Sequence, residues 1–582
     1  MTGGDEMCGI LGGSKKEWNY EKALQSVYHR GPDGQRMIRI KNVTLGFARL
    51  AVIDLNKDAM QPMFSIDNNY ALVFNGEIYD YQKLKKQLLK KGYVFRTNSD
   101  TEVFLYAFIE WKEKIVDYID GIFGAVIMDI REEKLYLFRD RPGVKPLYYF
   151  YDGKEFAFAS ELGELKELLY DTENLQIDNT ALYDYYNYLY IPDPKTLYKN
   201  IYKLEPASLL IFDLKKCKIQ KKARYWKVHL NTREGNLIGK KQLDEKAEEL
   251  RYHLDRIIMR QIVADVPAGT FFSGGVDSSI VTAVIAQHLQ NITAYMIGFT
   301  DKRYDEFPYA KKIADYVGIN FKVKYFAQNN FTELKDKMYD IFGEPFGDLS
   351  LYPTYFVSKF AKKDITVVLT GDGGDELFGG YNRYIWGKEN LLGRKSNKNY
   401  KLRKIYSDIE HLISLGGKIK SSELKDDVEL LLPQYLYGKN ERRISLRKRY
   451  GIPYDYDDGW FYRKYYHKDL PVITRLRYLD FMTYLPGDIL TKVDRTTMQF
   501  SLEARVPLLD KEMIDFAFSL TQNECCPNGE LKGLFKYAFK HMIPTEFFER
   551  KKAGFMMPHK YMEGDKSVQE MLLQDFWRKM DA

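Results

Sequence analysis

The sequence predicts two units, an α+β sandwich followed by a doubly wound α/β unit built on a parallel sheet. In the first two hundred residues, short apolar runs alternate with Asn-Gly and Asp-Gly turns and with helical stretches. From about residue 245, apolar strands and helices alternate, which is the rhythm of βαβ units. A chain of 582 residues, 45% of them hydrophobic, can bury a core in each unit.

In the first unit, strands and helices come in blocks, which favours an α+β sandwich. Three runs are predicted strands: 69–80, 123–130 and 134–140. Two stretches are predicted helices: 81–92 and 100–115. We place this unit at residues 8–213, because the following stretch 214–245 is polar.

The second unit is placed at residues 240–575. Its predicted strands are 266–272, 292–299, 320–326 and 364–370. Its predicted helices are 246–262, 278–289, 306–317, 331–342 and 351–363. Residues 388–470 are rich in Lys and Tyr, match no simple unit and are predicted to be an insert.

Composition excludes a fibrous, a mostly disordered and a membrane-spanning chain. No apolar run approaches the ~18–20 residues that cross a bilayer, and the first residues carry no hydrophobic signal segment. Four cysteines, none in a C-x-x-C pair, make neither a disulfide framework nor a zinc site, so a cytoplasmic location is expected. The net charge of +7 is small for this length and is weak evidence for nucleic-acid binding.

The sharpest local motif is Ser-Gly-Gly-Val-Asp-Ser-Ser at 273–279, between a predicted strand and a predicted helix. Gly274 and Gly275 let backbone N–H groups turn inward at a helix N-terminus, and the serine hydroxyls add donors, which together cradle an anion. Asp277 could hold Mg²⁺ between phosphates. No Gly-Lys-Ser/Thr follows, so this is not a Walker loop. We favour nucleotide binding over the alternative of a helix cap in a glycine turn.

A second glycine loop, Thr-Gly-Asp-Gly-Gly-Asp-Glu at 370–376, also follows a predicted strand. Both loops should therefore open at the carboxyl edge of the same sheet, where ligands bind. The carboxylates of Asp372, Asp375 and Glu376 suit Mg²⁺ or an incoming amine. Alone this loop would be a solvated acidic turn, but its pairing with the first loop predicts a shared site.

Cys8 would be an N-terminal nucleophile if the residues before it were absent. Its own α-amine, with a pKa near ~7.7–8.0, could then take the thiol proton, which suits a chain with eight histidines and no His-based triad. With common codons, residues 2–6 would be encoded by a stretch containing AGGAGG, a bacterial ribosome-binding site, just before Met7. We expect residues 1–6 to be untranslated and Met7 to be removed; a short disordered tail is the alternative.

Several residues of the first unit could together bind an α-amino acid that has a side-chain carbonyl. Arg49 could pair with its carboxylate, and Asp100 with its ammonium. Asn75 and Gly76 offer N–H groups to a developing oxyanion. Taken singly, each of these residues is better explained as a turn residue, a helix cap or a surface pair.

Together these motifs resemble the glutamine-hydrolysing asparagine synthetase family over most of the chain. In the first unit the resemblance rests on MCGI, HRGPDG (29–34), RLAVIDL (49–55), NGEIYD (75–80), SDTEV (99–103) and RDRPGVKPLYY (139–149). In the second unit it rests on SGGVDSS, TGDGGDELFGGY (370–381), SLEARVPLLDK (501–511) and RKKAGFMMP (550–558). The resemblance implies an N-terminal-nucleophile sandwich domain followed by an α/β ATP-pyrophosphatase domain.

The resemblance also implies glutamine-dependent amidation in two steps. Cys8 would hydrolyse glutamine through a thioester, with Asn75 and Gly76 as the oxyanion hole. The implied glutamine-binding residues are Arg49, Leu50, Val52, Asn75, Gly76, Glu77 and Asp100. Ammonia would pass internally to the second unit, where ATP adenylates aspartate, and the products would be asparagine, glutamate, AMP and pyrophosphate.

In the second unit the resemblance implies an ATP site with Mg²⁺. The implied ATP-binding residues are Phe271, Ser273, Gly274, Gly275, Asp277, Ser278, Ser279, Ile297, Thr370 and Gly371. Asp277 and Asp375 would bind Mg²⁺, Asp372 would be catalytic, and the further candidates are Glu376, Lys492 and Arg495. The expected partners are small-molecule substrates, with no membrane; nucleic acid is disfavoured and a homodimer is allowed.

Three positions depart from the family's pattern. Asp372 stands where well-known asparagine formers often have Glu, Thr370 replaces a Ser, and Arg495 falls where some members have Lys. Related enzymes amidate sugar uronic acids or cell-wall diaminopimelate, so the acceptor stays open, with aspartate preferred. A different-class alternative is an RNA-modifying protein that uses the basic runs 394–404 and 439–450.

Overall fold

Three β-sheets organise the chain. The computed structural model describes residues 8–170, 175–289, 291–326, 334, 337–393, 427–437 and 440–548. The strands are β1 Gly9–Gly13, β2 Gly34–Ile40, β3 Val43–Arg49, β4 Met63–Phe64, β5 Tyr70–Tyr79, β6 Asp120–Asp129, β7 Lys134–Arg139, β8 Tyr148–Tyr151, β9 Phe156–Ala159, β10 Ile201–Lys203, β11 Ser208–Asp213, β12 Lys218–Arg224, β13 Ala268–Phe271, β14 Thr293–Phe299, β15 Asn320–Phe326, β16 Val367–Leu369 and β17 Glu503–Arg505.

Helices cover these sheets and fill the second half of the chain. They are α1 Tyr20–Ser26, α2 Tyr81–Lys90, α3 Asp100–Trp111, α4 Leu162–Leu169, α5 Asn179–Tyr188, α6 Lys240–Gln261, α7 Val276–His288, α8 Phe307–Val317, α9 Met338–Phe342, α10 Leu351–Ala361, α11 Gly374–Phe378, α12 Asn382–Gly393, α13 Asp427–Tyr435, α14 Asn440–Tyr450, α15 Trp460–Arg463, α16 Val472–Met482, α17 Thr491–Met498, α18 Lys511–Ser519, α19 Gln522–Cys525 and α20 Gly533–Phe539. Across the described ranges, no helix combines the length and apolar content that a membrane span requires.

Two six-stranded antiparallel sheets form the predicted sandwich. Their strand orders are β10-β8-β9-β1-β3-β2 and β12-β11-β7-β6-β5-β4. The inner faces bury alternating apolar side chains such as Phe47 of the first sheet and Val73 of the second in one core. Helices α1, α4 and α5 cover the outer face of the first sheet, and α2 and α3 cover that of the second. The α+β sandwich is therefore confirmed.

The third sheet is parallel, with the order β15-β14-β13-β16-β17. The chain leaves β13 in one direction through β14 and β15, and later returns to the other side of β13 as β16. The strand order reverses between β13 and β16, so the loops that follow these two strands flank the crevice where such sheets bind ligands. The predicted α/β parallel sheet is confirmed, together with the expected proximity of its two glycine loops.

Several elements differ from the sequence prediction. The predicted helix 100–115 leaves α-helical geometry at Lys112, whose φ is 52°, and continues as a 3₁₀ turn. Strand β17 escaped prediction because its three residues, Glu-Ala-Arg, include two charges; both are buried because they pair with each other. Parts of the predicted helix 331–342 and residues 394–426 of the insert lie outside the described residues.

Candidate active sites

One pocket of the sandwich collects all residues predicted for the first site. Its lining includes Cys8, Arg49, Leu50, Val52, Asn75, Gly76, Glu77 and Asp100. Cys8 immediately precedes β1, Arg49 ends β3, Asn75 lies on β5, and Asp100 begins α3. The strands of both sheets and the helix on the outer face thus converge on a single cavity.

Cys8 is half-buried, and hydrogen bonds hold both its thiol and its carbonyl group. The N–H of Leu50 donates to Cys8 Sγ at 3.3 Å, and Arg30 Nε donates to the Cys8 carbonyl at 3.2 Å. Burial raises the pKa of the Cys8 thiol to about 12. Such a thiol attacks a carbonyl only if a neighbouring base takes its proton. Residues 1–7, on which the α-amine hypothesis depends, lie outside the described residues.

Asn75 and Gly76 present donors to the same pocket. The side chain of Asn75 is buried, and its Nδ2 has no hydrogen-bond partner among the described atoms. Gly76 has φ of 146°, and a Cβ there would lie 2.0 Å from the carbonyl oxygen of Ile122, so only glycine fits. An orphaned amide that lines the same pocket as a thiol is a donor that a developing oxyanion would satisfy.

Asp100 and Arg49 place opposite charges in the pocket. Asp100 Oδ2 accepts a hydrogen bond from Ile78 N at 2.9 Å, and burial raises the pKa of Asp100 to about 7. Arg49 uses Nη2 to reach the carbonyl of Asp54 at 2.8 Å. The pocket therefore offers a carboxylate and a guanidinium, as the two ends of an α-amino acid require.

Sequence reasoning missed a pocket residue that comes from the second unit. Glu503 of β17 lines the pocket of Cys8. Arg505, two residues on, donates from Nε to Glu503 Oε1 at 2.6 Å and lies 3.7 Å from Glu77 Oε1. The parallel sheet thus contributes a wall to the thiol pocket. The sequence feature that could have revealed Glu503 is the charged Glu-x-Arg pattern inside an otherwise apolar motif.

The two glycine loops of the second unit touch each other. A Cβ on Gly371 would lie 2.6 Å from Ser278 N, and one on Gly374 would lie 2.4 Å from Asp277 Oδ1. Helix α7 begins at Val276 with Gly275 as N-cap and no side-chain cap. A helix start of this kind leaves first-turn N–H groups for an anion. Ser273 Oγ accepts a hydrogen bond from Gly275 N at 3.2 Å, which holds the loop in this shape.

The other residues predicted to contact ATP lie around these loops. Phe271 ends β13, Ile297 lies within β14, and Thr370 directly follows β16. Ser278 and Ser279 lie in the first turn of α7. Ser279 and Thr370 are buried, so their hydroxyls face the protein interior.

Lys532 joins the two loops and was missed by sequence reasoning because it belongs to none of the motifs. Its Nζ pairs with Asp277 Oδ2 and, at 2.5 Å, with Asp375 Oδ1. Among the residues whose placement is given, no cluster of three or more His, Cys, Asp or Glu could hold a metal ion. Lys532 lies between the carboxylates of Asp277 and Asp375, whose oxygens are ligands of the kind that Mg²⁺ takes when phosphates and water complete its shell.

A carboxylate-rich region adjoins the second loop. Lys492 Nζ donates to Asp348 Oδ2 at 3.0 Å and to Ser350 Oγ at 2.6 Å. Burial raises the pKa of Asp372, while the charge of Lys492 opposes that shift. Asp488, on the π-helical turn that leads into α17, is buried beside Asp348, and burial and this neighbour raise its pKa. Asp348, Ser350 and Asp488 were not predicted.

Two further predicted candidates make other contacts. Glu376 accepts a hydrogen bond from Tyr381 Oη at 2.6 Å, and burial raises the pKa of Glu376 to about 8. Arg495 points to the sandwich, where its Nη1 lies 2.5 Å from Glu161 Oε1. Arg30 of the sandwich pairs with the same Glu161 and with Asp494 of α17, at 2.6 and 2.9 Å. Arg495 therefore belongs to a buried ionic seam between the units.

The fold and the two sites define a class of protein, an amidotransferase in which a nucleophile sandwich is joined to a nucleotide-binding parallel sheet. A family model described as glutamine amidotransferase domain matches residues 7–226, and one described as asparagine synthase matches residues 249–576. The chain belongs to the glutamine-hydrolysing asparagine synthetase family.

Relatives match along nearly the whole chain. Asparagine synthetase [glutamine-hydrolyzing] 1 of Bacillus subtilis is 32% identical over 95% of this chain and 87% of its own. Putative asparagine synthetase [glutamine-hydrolyzing] 2 of Methanocaldococcus jannaschii is 37% identical over 76% of this chain and 88% of its own. Asparagine synthetase [glutamine-hydrolyzing] 3 of Bacillus subtilis is 28% identical over 97% and 89%.

Proposed function

We propose that the protein is a glutamine-dependent asparagine synthetase, an ATP-dependent carbon–nitrogen ligase. It hydrolyses glutamine, adenylates aspartate and transfers the released ammonia to give asparagine, glutamate, AMP and pyrophosphate. The observation that carries this proposal is the pairing of a thiol pocket holding an orphaned amide with two touching glycine loops at the switch point of a parallel sheet. Family membership supports both halves of the reaction.

In the first site, Cys8 Sγ attacks the side-chain carbonyl of glutamine. The α-amine of a mature Cys8 takes the thiol proton and passes it to the departing ammonia. Asn75 Nδ2 and the Gly76 N–H stabilise the oxyanion, and water then hydrolyses the thioester to glutamate. Arg49 binds the carboxylate of glutamine, and Asp100 binds its ammonium.

In the second site, the first turn of α7 and the serines of the first loop bind the phosphates of ATP. Asp277 and Asp375 would hold Mg²⁺, which neutralises charge on the phosphates when bound. Lys532 lies between these carboxylates and keeps their like charges at a fixed separation. We assign the acceptor carboxylate and the incoming ammonia to Lys492 and Asp372, whose charges interact beside the second loop.

The described contacts do not favour RNA as a partner. Arg447 of α14, in the second basic run, pairs with Asp458 at 2.6 Å and stacks on the Tyr183 ring. Arg443 lies 3.7 Å from the same carboxylate. Both arginines are engaged by Asp458 within the protein, whereas a nucleic-acid surface needs cations open to phosphate. The first basic run, 394–404, lies outside the described residues.

The decisive assay supplies the full-length enzyme with ATP, Mg²⁺ and glutamine and compares aspartate with a panel of sugar and cell-wall carboxylates. When aspartate is the acceptor, asparagine, AMP and pyrophosphate should form in equal amounts. If AMP is released with another carboxylate but not with aspartate, that carboxylate is the acceptor, and the proposed adenylation and amidation steps still apply. Omitting Mg²⁺ should stop AMP formation and leave glutamine hydrolysis.

All four cysteines are free thiols, which agrees with the proposed cytoplasmic location.

The pH dependence of glutamine use should depend on Asp100. Because the pKa of Asp100 is about 7 in the empty pocket, this carboxyl becomes protonated as pH falls and loses its attraction for the ammonium of glutamine. We expect kcat/KM for glutamine to fall as pH drops from about 8 to about 6, because Asp100 and the proposed basic α-amine of Cys8 both become protonated, and Asp100→Asn to lower kcat/KM and make this limb less steep. Asp117→Asn, which changes an exposed carboxylate of the same unit, is the control. An unchanged slope in Asp100→Asn would exclude Asp100.

Asp372 should discriminate between acceptors. Asp372→Asn keeps the shape of the side chain and removes its charge beside Lys492, so product formation should fall roughly ten- to a hundredfold at saturating ATP. Asp372→Glu should retain activity with aspartate, since Glu is the residue found in well-known asparagine formers. If Asp372→Glu is inactive while it still hydrolyses glutamine, a bulkier acceptor becomes the better hypothesis. The measurement is asparagine formed per minute with ammonia as nitrogen source.

A further inference from the structure

Two neighbouring cysteines lie buried in the second unit and have no part in the proposed chemistry. Cys525 ends α19 and Cys526 follows it; their side chains are 0% and 1% exposed. Their sulfur atoms are 3.9 Å apart, and both are free thiols. The turn just beyond them is exposed at Asn528.

Both thiols rest on the helix that follows the second glycine loop. Cys525 Sγ lies 3.8 Å from the carbonyl oxygen of Leu377, and Cys526 Sγ lies 3.8 Å from that of Phe378. These carbonyls end α11, whose second residue is Asp375. A Cβ on Gly379 would lie 3.0 Å from Cys526 Sγ, so the sulfur is packed tightly against the chain here.

Arg477 gives these thiols an unusual electrostatic environment. Its guanidinium is fully buried, and its Nη2 donates to the carbonyls of Leu377 and Ala517. Its Nε and Nη1 have no hydrogen-bond partner, and no carboxylate pairs with it in the part of the chain that the structure describes. A buried cation without a counter-charge is costly, and a thiolate at Cys525 would supply one. The hydrogen bond from Cys526 and the charge of Arg477 lower the pKa of the Cys525 thiol to about 7, against the effect of burial.

We propose that Cys525 and Cys526 are a modification site, a dithiol that peroxide converts into a disulfide between adjacent residues. The Cys525 thiolate attacks one peroxide oxygen; the S–O bond forms, the O–O bond breaks, and hydroxide leaves as water after taking a proton. Cys526 then attacks the sulfenic sulfur; the S–S bond forms, the S–O bond breaks, and a second water leaves. Two thiols are oxidised by two electrons, and one peroxide is reduced.

The geometry makes this disulfide reversible. The sulfur atoms must approach from 3.9 Å to about 2.05 Å. Adjacent Cα atoms are about 3.8 Å apart, which is shorter than the separation that unstrained disulfides usually span. Strained disulfides are more easily reduced, so a cytoplasmic thiol should reopen this one. Reversibility suits a switch rather than a structural cross-link.

Ring closure would affect the nucleotide site through one shared carbonyl. The Phe378 oxygen that faces Cys526 Sγ also accepts a hydrogen bond from Lys532 N at 3.1 Å. Lys532 in turn pairs with Asp277 and Asp375. Closing the ring draws Cys526 away from this carbonyl and loosens the support of Lys532. The expected loss of pyrophosphate release rests on the proposed function; the formation of the disulfide does not.

The test exposes the full-length enzyme to hydrogen peroxide, removes the peroxide with catalase and then applies two readouts. Alkylation followed by mass spectrometry should show that the peptide carrying Cys525 and Cys526 has lost two hydrogen atoms and takes up no alkylating agent. Ammonia-driven pyrophosphate release, which bypasses Cys8, should fall about tenfold or more, because displacing Lys532 weakens its charged pairing with Asp277 and Asp375. Dithiothreitol should restore both readouts.

Three variants separate the outcomes. Cys525→Ser should keep its pyrophosphate release after peroxide, whereas Cys217→Ser, which removes an exposed thiol, should remain as sensitive as the wild type. Cys526→Ser should stop at the sulfenic acid and form no cross-link. Equal sensitivity of Cys525→Ser and wild type, or full alkylation of both thiols in peroxide-treated wild type, would overturn the proposal. If the untreated enzyme releases no pyrophosphate, the proposed function fails, and the mass readout still decides the thiol site.

Discussion

Replacing Cys8 with alanine is expected to abolish glutamine-dependent asparagine formation and to leave ammonia-dependent formation intact. The thiol is the proposed nucleophile of the first site, and removing a catalytic nucleophile lowers the rate by about a thousandfold or more. The glycine loops and Lys532 belong to the second unit, and none of their described contacts involves Cys8. The two half-reactions should therefore separate completely in this one variant.

The measurement compares pyrophosphate release with glutamine and with ammonium as the nitrogen source. Cys217→Ala is the matched control, because it removes an exposed thiol from the turn between β11 and β12 of the sandwich and should leave both rates unchanged. Loss of ammonia-dependent release in a folded Cys8→Ala enzyme would contradict the assignment of two sites. A normal rate of glutamine hydrolysis in Cys8→Ala would contradict the role of Cys8 as nucleophile.

Much of the first site could be predicted because its residues lie in short, contiguous sequence motifs. Asn75 and Gly76 lie within β5, and Leu50 directly follows Arg49 at the end of β3, so each motif carries its own backbone geometry. The structure places these residues in one pocket, and their roles in catalysis remain proposals for the kinetic tests.

The residues that escaped prediction come from distant parts of the chain. Glu503 reaches the pocket of Cys8 across the boundary between the units, and Lys532 reaches Asp277 over 255 positions of sequence. No local pattern marks such contacts, because they arise only when segments far apart in the sequence pack together. Sequence spacing likewise could not show that Lys492 and Arg495, on one helix, meet partners in different units.

The opposite separation of activities is expected for Asp277→Asn. This change preserves the size of the side chain and removes a charge that pairs with Lys532 and would help to hold Mg²⁺. Loss of one preorganised charged contact at a phosphoryl site lowers the rate by about a hundredfold or more. AMP and pyrophosphate formation should therefore nearly cease with either nitrogen source.

Glutamine hydrolysis should survive in Asp277→Asn, because no described contact joins Asp277 to the thiol pocket. The experiment measures glutamate and pyrophosphate in the same reaction. The amount of glutamate formed per pyrophosphate should rise steeply compared with the wild type. Asp315→Asn is the matched control: it neutralises an exposed carboxylate that pairs with Lys311, on a helix of the same unit. Equal losses of both activities in Asp277→Asn would mean that the variant disturbs the whole fold. Retention of pyrophosphate release would remove Asp277 from the nucleotide site. Only loss of pyrophosphate with glutamate unchanged supports a phosphate-binding loop that works independently of Cys8.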